Sequence, residues 1–382
     1  MPPLDRFAQD KLAELDARNL RRRMVATARA DGLWVTRGGR GLLSFSCNDY
    51  LNLSHHPAVK AAAVAAIAEH GAGAGASRLV TGNHPLFDTL EQRLASLKGT
   101  QAACVFGSGY LANAGIIPAL IGEGDLVLVD ALSHSCLWAG AQLSHGTVVT
   151  FRHNDVAHAA ELLSGARSKH RNALIVTDGV FSMDGDRAPL AELAVLAGAH
   201  DAWLMSDDAH GLGVINGGRG AARGIEVDLQ MGTLSKALGS YGGYVCASQA
   251  VIDLIKTRAR TLIYSTGLPP ANAAAALAAL DIIEADPELT ARPLARAQSF
   301  TRACNLPLAQ SPIVPVVLGD EIVALEAQQM LEREGFLAIA IRPPTVPSRT
   351  ARLRLAFTAG HAEDDVARLA ALVRERILPM AA

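Results

Sequence analysis

From about residue 100 onwards, short apolar runs alternate with turns and with longer helical stretches. Each run is rich in residues that favour β-strands, and neither of its faces is polar. Runs of this kind, separated by helical segments, are typical of a mostly parallel sheet covered by helices. The pattern therefore predicts five strands of one large α/β unit, at residues 103–106, 126–129, 174–177, 203–206 and 244–247.

The pattern changes after about residue 286, where it indicates a smaller α+β lobe. The elements predicted in this lobe are strands at 313–317, 337–341 and 353–357 and helices at 322–335 and 363–377. At the other end of the chain, residues 5–23 are predicted to form a charged amphipathic helix that ends in three arginines. We therefore expect an N-terminal segment (1–50), a large cofactor-binding domain (51–285) and a small C-terminal domain (286–382).

Composition and charge narrow the class of protein. Of the 382 residues, 50% are hydrophobic and 19% are charged, which is enough apolar surface for a large core. The net charge of -2 argues against a partner that is nucleic acid or a membrane surface. The five cysteines are scattered and form no CxxC pair, so neither a disulfide framework nor a zinc site is expected. No apolar signal segment opens the chain, and the expected location is the cytoplasm.

Polar residues follow several of the predicted strands directly. They are residues 107–110 (GSGY), Asp130, the pair Asp178 and Gly179, and residues 207–210 (DDAH). In open α/β sheets, ligands bind at the carboxyl ends of the strands. The sequence therefore predicts a functional site at this edge of the sheet.

Lys236 is the first candidate for chemistry at that edge. It lies in TLSKALG (233–239), among small hydroxyl and apolar residues. Desolvation there would favour the uncharged amine, which can form a Schiff base. A lone lysine is more often an exposed one, so the interpretation depends on its partners. Asp207 is suited to hold a protonated pyridine nitrogen, and His210 lies within reach of the same ligand. Taken alone, Asp207 or Asp208 could equally cap a helix.

Residues 107–113 (GSGYLAN) end a strand and open a helix, where free backbone N–H groups can hold a phosphate. Ser108 and Thr233 would add hydroxyl groups, and His134 could stack on a planar cofactor. A second glycine-rich segment, at 71–76 (GAGAGA), nearly fits a dinucleotide fingerprint. It follows a predicted helix instead of a strand, which argues against a nicotinamide oxidoreductase.

Together these residues resemble the α-oxoamine synthases, pyridoxal-phosphate enzymes of the aspartate-aminotransferase fold (fold type I). The similarity covers nearly the whole chain, and its motifs are 46–51 (SCNDYL), 77–82 (SRLVTG), 178–186 (DGVFSMDGD), 207–211 (DDAHG), 233–236 (TLSK) and 264–266 (YST). Within the family, the chain is most similar to the enzymes that make a biotin precursor. That closer similarity lies at 54–57 (SHHP), 341–347 (IRPPTVP) and 350–355 (TARLRL).

The resemblance implies a role for each matching residue. Lys236 would carry the Schiff base with pyridoxal phosphate, and Asp207 would pair with the ring nitrogen. The other implied cofactor contacts are His210 and Ser182 at the phenolic oxygen, His134 on the ring face, and Ser108, Gly109, Tyr110 and Thr233 at the phosphate. Thr266 would reach the phosphate from a neighbouring subunit, which implies a homodimer. The implied substrate contacts are Arg354 at the amino-acid carboxylate and Arg21 and Asn48 at the acyl group.

The reaction implied by the resemblance is a C-acyl transfer. Lys236 would remove the Cα proton of L-alanine, and the resulting carbanion would attack a pimeloyl thioester with help from His134. The thiol, coenzyme A or acyl carrier protein, would leave, and the product would lose carbon dioxide. Two alternatives stay open: a glycine-using sister enzyme (glycine C-acetyltransferase or 5-aminolevulinate synthase), and a non-catalytic subunit of the same fold.

Overall fold

The computed structural model describes residues 2–381. Met1 and Ala382, the outermost residues of the predicted terminal segments, lie outside this span. The strands are β1 Thr27–Arg29, β2 Trp34–Arg37, β3 Arg40–Ser44, β4 Ala102–Phe106, β5 Leu126–Asp130, β6 Thr147–Phe151, β7 Ala173–Asp178, β8 Trp203–Asp207, β9 Leu229–Thr233, β10 Gly243–Ala247, β11 Ile313–Gly319, β12 Phe336–Leu337, β13 Ile339–Ile341 and β14 Ala351–Ala356.

Except for the first, none of whose residues is buried, the helices cover both faces of the sheet and the outside of the smaller lobe. They are α1 Pro3–Ala17, α2 Pro57–His70, α3 Pro85–Lys98, α4 Gly109–Leu120, α5 Ser135–Leu143, α6 Val156–Ala166, α7 Leu190–Ala199, α8 Gln249–Arg258, α9 Arg260–Ile263, α10 Pro270–Ala285, α11 Pro287–Ala303, α12 Glu321–Arg333 and α13 Glu363–Leu372. Within residues 2–381, none of them is long and apolar enough to cross a membrane.

The central sheet has the strand order β4-β10-β9-β8-β7-β5-β6. Its strands pair in parallel from β9 through β6, and only β10 runs antiparallel to both of its neighbours. The predicted fold class, an α/β chain with a mostly parallel sheet and a smaller α+β lobe, is confirmed. All five predicted strands are present, each within one residue of its expected limits.

The sheet is apolar on both faces because each face packs on its own core. In β5, Val127 and Val129 face one buried cluster, whereas Leu126 and Leu128 face another. This alternation is the expected result of the two-residue repeat of a strand. A strand buried on both faces has no polar side, which is why these runs are visible in the sequence.

The smaller lobe is built on the antiparallel sheet β11-β14-β13. Its buried core also takes in Leu43 and Phe45 from the N-terminal part of the chain. β3, which ends just before Phe45, pairs in parallel with β12. The N-terminal segment thus packs with the C-terminal lobe. The boundaries at residues 50 and 285 stay a prediction.

Some predicted elements are wrong. The N-terminal helix ends at Ala17, and the arginines at 21–23 lie beyond it, because Asn19 adopts a left-handed conformation with a φ of 54°. The expected strand at 337–341 is interrupted at Ala338: β12 pairs with β3, whereas β13 pairs with β14. Strands β6 and β9 were not predicted, since β6 is a half-exposed edge strand and β9 contains Gln230 and Gly232.

Candidate active site

Three neighbouring strands end in aspartate at one edge of the central sheet. Asp130 ends β5, Asp178 ends β7 and Asp207 ends β8, with Asp178 and Asp207 directly opposite in the β7–β8 pairing. A cavity of about 220 Å³ opens at this edge. Its lining includes the following predicted site residues: Gly109, Tyr110, His134, Asp207, His210, Thr233 and Lys236. The predicted cofactor residues of four separate segments therefore meet in one place.

Lys236 lies in the turn that follows β9 and is partly accessible from the cavity. Its enclosure by protein lowers the pKa of the ammonium group because desolvation disfavours the charged form. Asp207 and Asp178 act against this shift, and the nearby guanidinium of Arg354 adds to it. The amine is therefore more available as a nucleophile or base than an exposed lysine would be.

Asp207 is held by a hydrogen bond to each carboxylate oxygen. Its Oδ1 accepts from the backbone N–H of Ala209 at 2.9 Å, and its Oδ2 accepts from Asn113 Nδ2 of α4 at 2.7 Å. Next to it, burial and the charge of Asp207 raise the pKa of Asp178 well above its usual value. The protonated form of Asp178 is therefore favoured, and its Oδ2 accepts the backbone N–H of His134 at 2.9 Å.

Asp208, the other candidate of the sequence, points away from the cavity. Both its side chain and that of Lys98 are completely buried, and they form an ion pair of 2.6 Å between Lys98 Nζ and Asp208 Oδ2. Its Oδ1 accepts the backbone N–H of Ala221 at 2.9 Å. The structure thereby separates the two aspartates: Asp207 faces the cavity, and Asp208 anchors the loop from the opposite side. Lys98 gave no signal in the sequence, because it lies 110 positions from its partner.

His210 is neutral and oriented by a tyrosine. Burial, and then the cations Lys236 and Arg354, lower the pKa of His210 well below its usual value. Its Nδ1 lies 2.6 Å from the hydroxyl of Tyr50, whose own pKa is raised by burial. The protonated hydroxyl can donate to Nδ1, which leaves the hydrogen of the ring on Nε2. Sequence reasoning missed Tyr50, although it lies in the SCNDYL motif.

Arg354 lies beside this pair and is buried. Its Nε donates to the carbonyl oxygen of Ser182 at 2.5 Å, and its Nη2 donates to Asn48 Oδ1 at 3.1 Å. Within residues 2–381, Nη1 of Arg354 makes no hydrogen bond. A guanidinium that is held in place and still has N–H groups without a hydrogen bond is suited to bind a carboxylate. Asn48, predicted at the acyl group, contacts Arg354 here, and its role toward the acyl group stays a prediction.

The start of α4 has the properties of a phosphate site. Ser108 is its first capping residue, with Oγ accepting the N–H of Leu111 at 3.2 Å. A Cβ on Gly109 would come within 3.2 Å of Met231 Cε and within 3.6 Å of Thr233 Oγ1, so the glycine keeps this corner open. Thr233 Oγ1 itself donates to the carbonyl oxygen of Gly242 at 2.8 Å. The backbone N–H groups of a helix start, with a hydroxyl nearby, fit an anionic group.

A second cavity, of about 560 Å³, adjoins the first and shares His134 with it. Ser182 lies on this outer cavity, and so does Arg22, whose Nη2 donates to Thr345 Oγ1 at 2.8 Å. Arg21, the predicted acyl-group residue, is not among the lining residues of either cavity and pairs with Asp16 at 2.6 Å. Thr266 is also outside both cavities and forms a β-bridge with Ser77. The roles given to Arg21, Ser182 and Thr266 stay predictions.

His153 contacts a carboxylate next to each of two loops that border the site. Its ring nitrogens lie 3.0 Å from Asp130 Oδ1 and 2.8 Å from Asp186 Oδ2. Burial alone would lower the pKa of His153, but the hydrogen bonds to the two carboxylates raise it to about 10. Asp130 precedes the loop that carries His134, and Asp186 follows the loop that carries Ser182.

This raised pKa predicts a pH-dependent contribution to stability. Because the folded pKa is about 10 and the unfolded value about 6.5, the stabilisation is complete below the unfolded pKa and is lost as the pH rises towards the folded one. We expect His153→Gln to lower the free energy of unfolding by roughly 2 kcal/mol at about pH 6, after discounting for partial exposure. The difference should fall below half by about pH 9 in denaturant titrations. His145→Gln, at an exposed histidine, is the control. A pH-independent difference would contradict the assignment.

No group of three or more histidine, cysteine, aspartate or glutamate residues within 2–381 is placed to hold a metal ion. The groups that the cofactor cavity does present are a lysine, carboxylates and histidines. An enclosed amine in one cavity with a fixed carboxylate and a helix start, near a guanidinium that has a donor without a hydrogen bond, matches a planar, phosphate-bearing aldehyde and an amino acid.

Comparisons with known proteins agree with this arrangement. The family model described as aminotransferase class I and II matches residues 40–373. The 8-amino-7-oxononanoate synthase of Methylocella silvestris is 69% identical over 344 residues, which are 89% of this chain and 98% of that protein. The enzyme of the same name from Beijerinckia indica is 61% identical over 98% of both chains. A solved serine palmitoyltransferase from S. paucimobilis, with a bound PLP–myriocin aldimine, has a TM-score of 0.91 and 28% identity over 98% of both chains.

Proposed function

The chain belongs to the class I and II aminotransferase family and, within it, to the 8-amino-7-oxononanoate synthases, and we propose that it joins L-alanine to a pimeloyl thioester. The products are 8-amino-7-oxononanoate, carbon dioxide and a free thiol, a step of biotin biosynthesis. The observation that carries this conclusion is the enclosed amine of Lys236 in one cavity with Asp207, beside a buried arginine that can bind a carboxylate.

The residues of the cavity fit pyridoxal phosphate, the cofactor of the family. Lys236 would hold it covalently and Asp207 would hold its ring nitrogen, while the start of α4 would bind its phosphate. We assign the phenolic oxygen to His210, with Ser182 nearby, and the ring face to His134. Bound there, the cofactor would stabilise negative charge that develops at the Cα atom of the amino acid.

Arg354 and Lys236 would act on the amino acid. The free Nη1 of Arg354 would bind the carboxylate of alanine and orient its Cα–H bond. Lys236 Nζ, whose pKa is lowered by burial, would take the proton from Cα, since an uncharged amine is required of a base. The surroundings of Lys236 thus serve both attachment and proton transfer.

The outer cavity would take the acyl donor. It shares the lining residue His134 with the cofactor cavity and is bordered by apolar side chains, among them Leu132, Trp138 and Val346. An acyl chain in this cavity would bring its thioester carbonyl to His134. We propose coenzyme A or acyl carrier protein as the carrier, and parallel assays with the two thioesters distinguish them.

We also propose a homodimer in which Thr266 completes the partner's phosphate site. Several large side chains are exposed on the cofactor-binding domain, with Val80 75%, Tyr264 77% and Tyr110 53% exposed. The Ser77–Thr266 bridge brings the segments of Val80 and Tyr264 together, and Tyr110 itself lines the cavity. Exposed apolar side chains on neighbouring segments are typical of an interface. Sedimentation equilibrium should give twice the chain mass, and a monomer would contradict the proposal.

Product analysis tests the function directly. Incubation of the holoenzyme with L-alanine and pimeloyl-CoA should yield 8-amino-7-oxononanoate, identified by mass spectrometry. Glycine with acetyl-CoA or succinyl-CoA should give a kcat/KM at least about a hundredfold lower than alanine with pimeloyl-CoA. The ratio of the two kcat/KM values measures how much better the site binds the transition state of one substrate pair than that of the other. Faster turnover of a glycine pair would assign the chain to a sister activity.

A protein that takes up no pyridoxal phosphate would favour a non-catalytic subunit, a role that the retained Lys236 and Asp207 argue against.

A further inference from the structure

The hydrogen bonds around His134 determine which of its ring nitrogens carries the proton. His134 precedes α5, and its Nδ1 accepts the backbone N–H of Cys136 at 3.2 Å. A backbone amide can only donate, so Nδ1 must present a lone pair. In the neutral ring, the hydrogen is then on Nε2. Burial lowers the pKa of His134. The charge of Asp207 raises this pKa and the charge of Lys236 lowers it further, and the net lowering favours the neutral ring.

Two other helices begin in the same way, but His134 has an additional partner. His56 and His84 accept backbone N–H groups at Nδ1 over 3.3 and 3.2 Å, at the starts of α2 and α3. At His134, the thiol of Cys136 also lies 2.7 Å from Nδ1. This second contact comes from the same residue that supplies the backbone donor.

The thiol of Cys136 is itself oriented by Asn113. Asn113 Nδ2 donates to Cys136 Sγ at 3.0 Å and to Asp207 Oδ2 at 2.7 Å. Burial raises the pKa of Cys136 far above its usual value, so the sulfur keeps its hydrogen. The nearest acceptor for that hydrogen is His134 Nδ1, since Asp207 Oδ2 lies 4.0 Å from the sulfur. One buried network thus fixes both the carboxylate of Asp207 and the ring of His134.

We propose that Cys136 is a positioning residue that holds His134 in its Nε2–H tautomer, so that His134 offers a hydrogen-bond donor to the carbonyl oxygen of the acyl donor. Within residues 2–381, Nε2 of His134 makes no hydrogen bond, and the residue borders both cavities. The role at the carbonyl depends on the proposed function; the tautomer does not. A donor there stabilises the negative charge that develops on the oxygen as the carbon–carbon bond forms, whereas a lone pair would repel it.

Ring-labelled 15N-histidine spectra of the protein, with and without pyridoxal phosphate, test the tautomer. The His134 signals, identified by their loss in His134→Gln, should show a protonated Nε2 and an unprotonated Nδ1. Cys136→Ala should raise the Nδ1–H fraction by roughly fivefold, as expected for the loss of one hydrogen bond. Cys136→Ser, which keeps a donor, should stay close to the wild type. Cys104→Ala removes another buried thiol of the large domain and should leave the signals unchanged.

A wild-type Nδ1–H pattern, or identical spectra for Cys136→Ala and Cys104→Ala, would overturn the proposal. In steady-state kinetics, Cys136→Ala should lower kcat by up to about fivefold, the limit set by the change in tautomer ratio, and leave the KM for alanine within about twofold, because the donor acts on the transition state. Equal kcat values for Cys136→Ala and Cys104→Ala would count against the role at the carbonyl. If the spectra agree while product analysis fails, the proposed substrates are wrong and the positioning role of Cys136 stands.

Discussion

Lys236→Ala is expected to reduce turnover of alanine and pimeloyl-CoA by at least about a thousandfold, because it removes both the attachment point of the cofactor and the proposed base. The loss should be seen in kcat at saturating substrate, with a thermal midpoint close to that of the wild type. No other amine lines the cofactor cavity within residues 2–381, so none is placed to take over the proton transfer at Cα.

The matched control for this change is Lys60→Ala. Lys60 is an exposed residue of α2, and its replacement should leave the rate within about twofold, as for a typical surface substitution. If Lys236→Ala retains more than about a tenth of wild-type turnover, the assignment of the base is wrong.

Asp207→Asn is expected to lower kcat by at least about a hundredfold, because it removes the negative charge that would keep the ring nitrogen protonated. The amide preserves the shape of the side chain and can still accept the Ala209 N–H at its oxygen, but its NH2 group then faces Asn113 Nδ2, so that the hydrogen bond of Oδ2 is lost together with the charge. Cofactor affinity should fall as well, and both effects are measured by reconstituting the apoenzyme with increasing pyridoxal phosphate.

Asp178→Asn is the control that separates the loss of negative charge at Asp207 from a disturbance of packing. Since burial and the charge of Asp207 favour the protonated carboxyl of Asp178, its amide has a similar charge and can still accept the backbone N–H of His134. We expect it to cost less than about tenfold in kcat, well below the loss for Asp207→Asn. Equal losses in the two variants would show that packing, and not the charge of Asp207, is what the site requires.

The sequence predicted the parts of the fold that depend on local patterns. The strands that end in Asp130, Asp178 and Asp207 are buried on both faces and were visible as apolar runs. Strand β9, which leads to Lys236, was missed because Gln230 and Gly232 interrupt its apolar pattern. The chemistry of TLSK was nevertheless recognisable, since the motif does not depend on the strand.

The supporting residues could not be predicted, because their contacts cross long stretches of chain. Asn113 lies 94 positions from Asp207 and Tyr50 lies 160 positions from His210. Neither pair has a spacing that a helix or strand repeat would reveal. Only the folded sheet edge brings these residues together, and the choice between Asp207 and Asp208 likewise required knowing on which side Lys98 lies.

The most direct test of the account is to locate the cofactor on the chain. Purified holoenzyme is reduced with borohydride, digested, and analysed by peptide mass spectrometry for the mass of a pyridoxyl group. The modified peptide should be the one that contains Lys236, and the protein should lose its visible absorption on reduction. A pyridoxyl group on any other lysine, or none on a protein with cofactor-dependent activity, would contradict the central assignment.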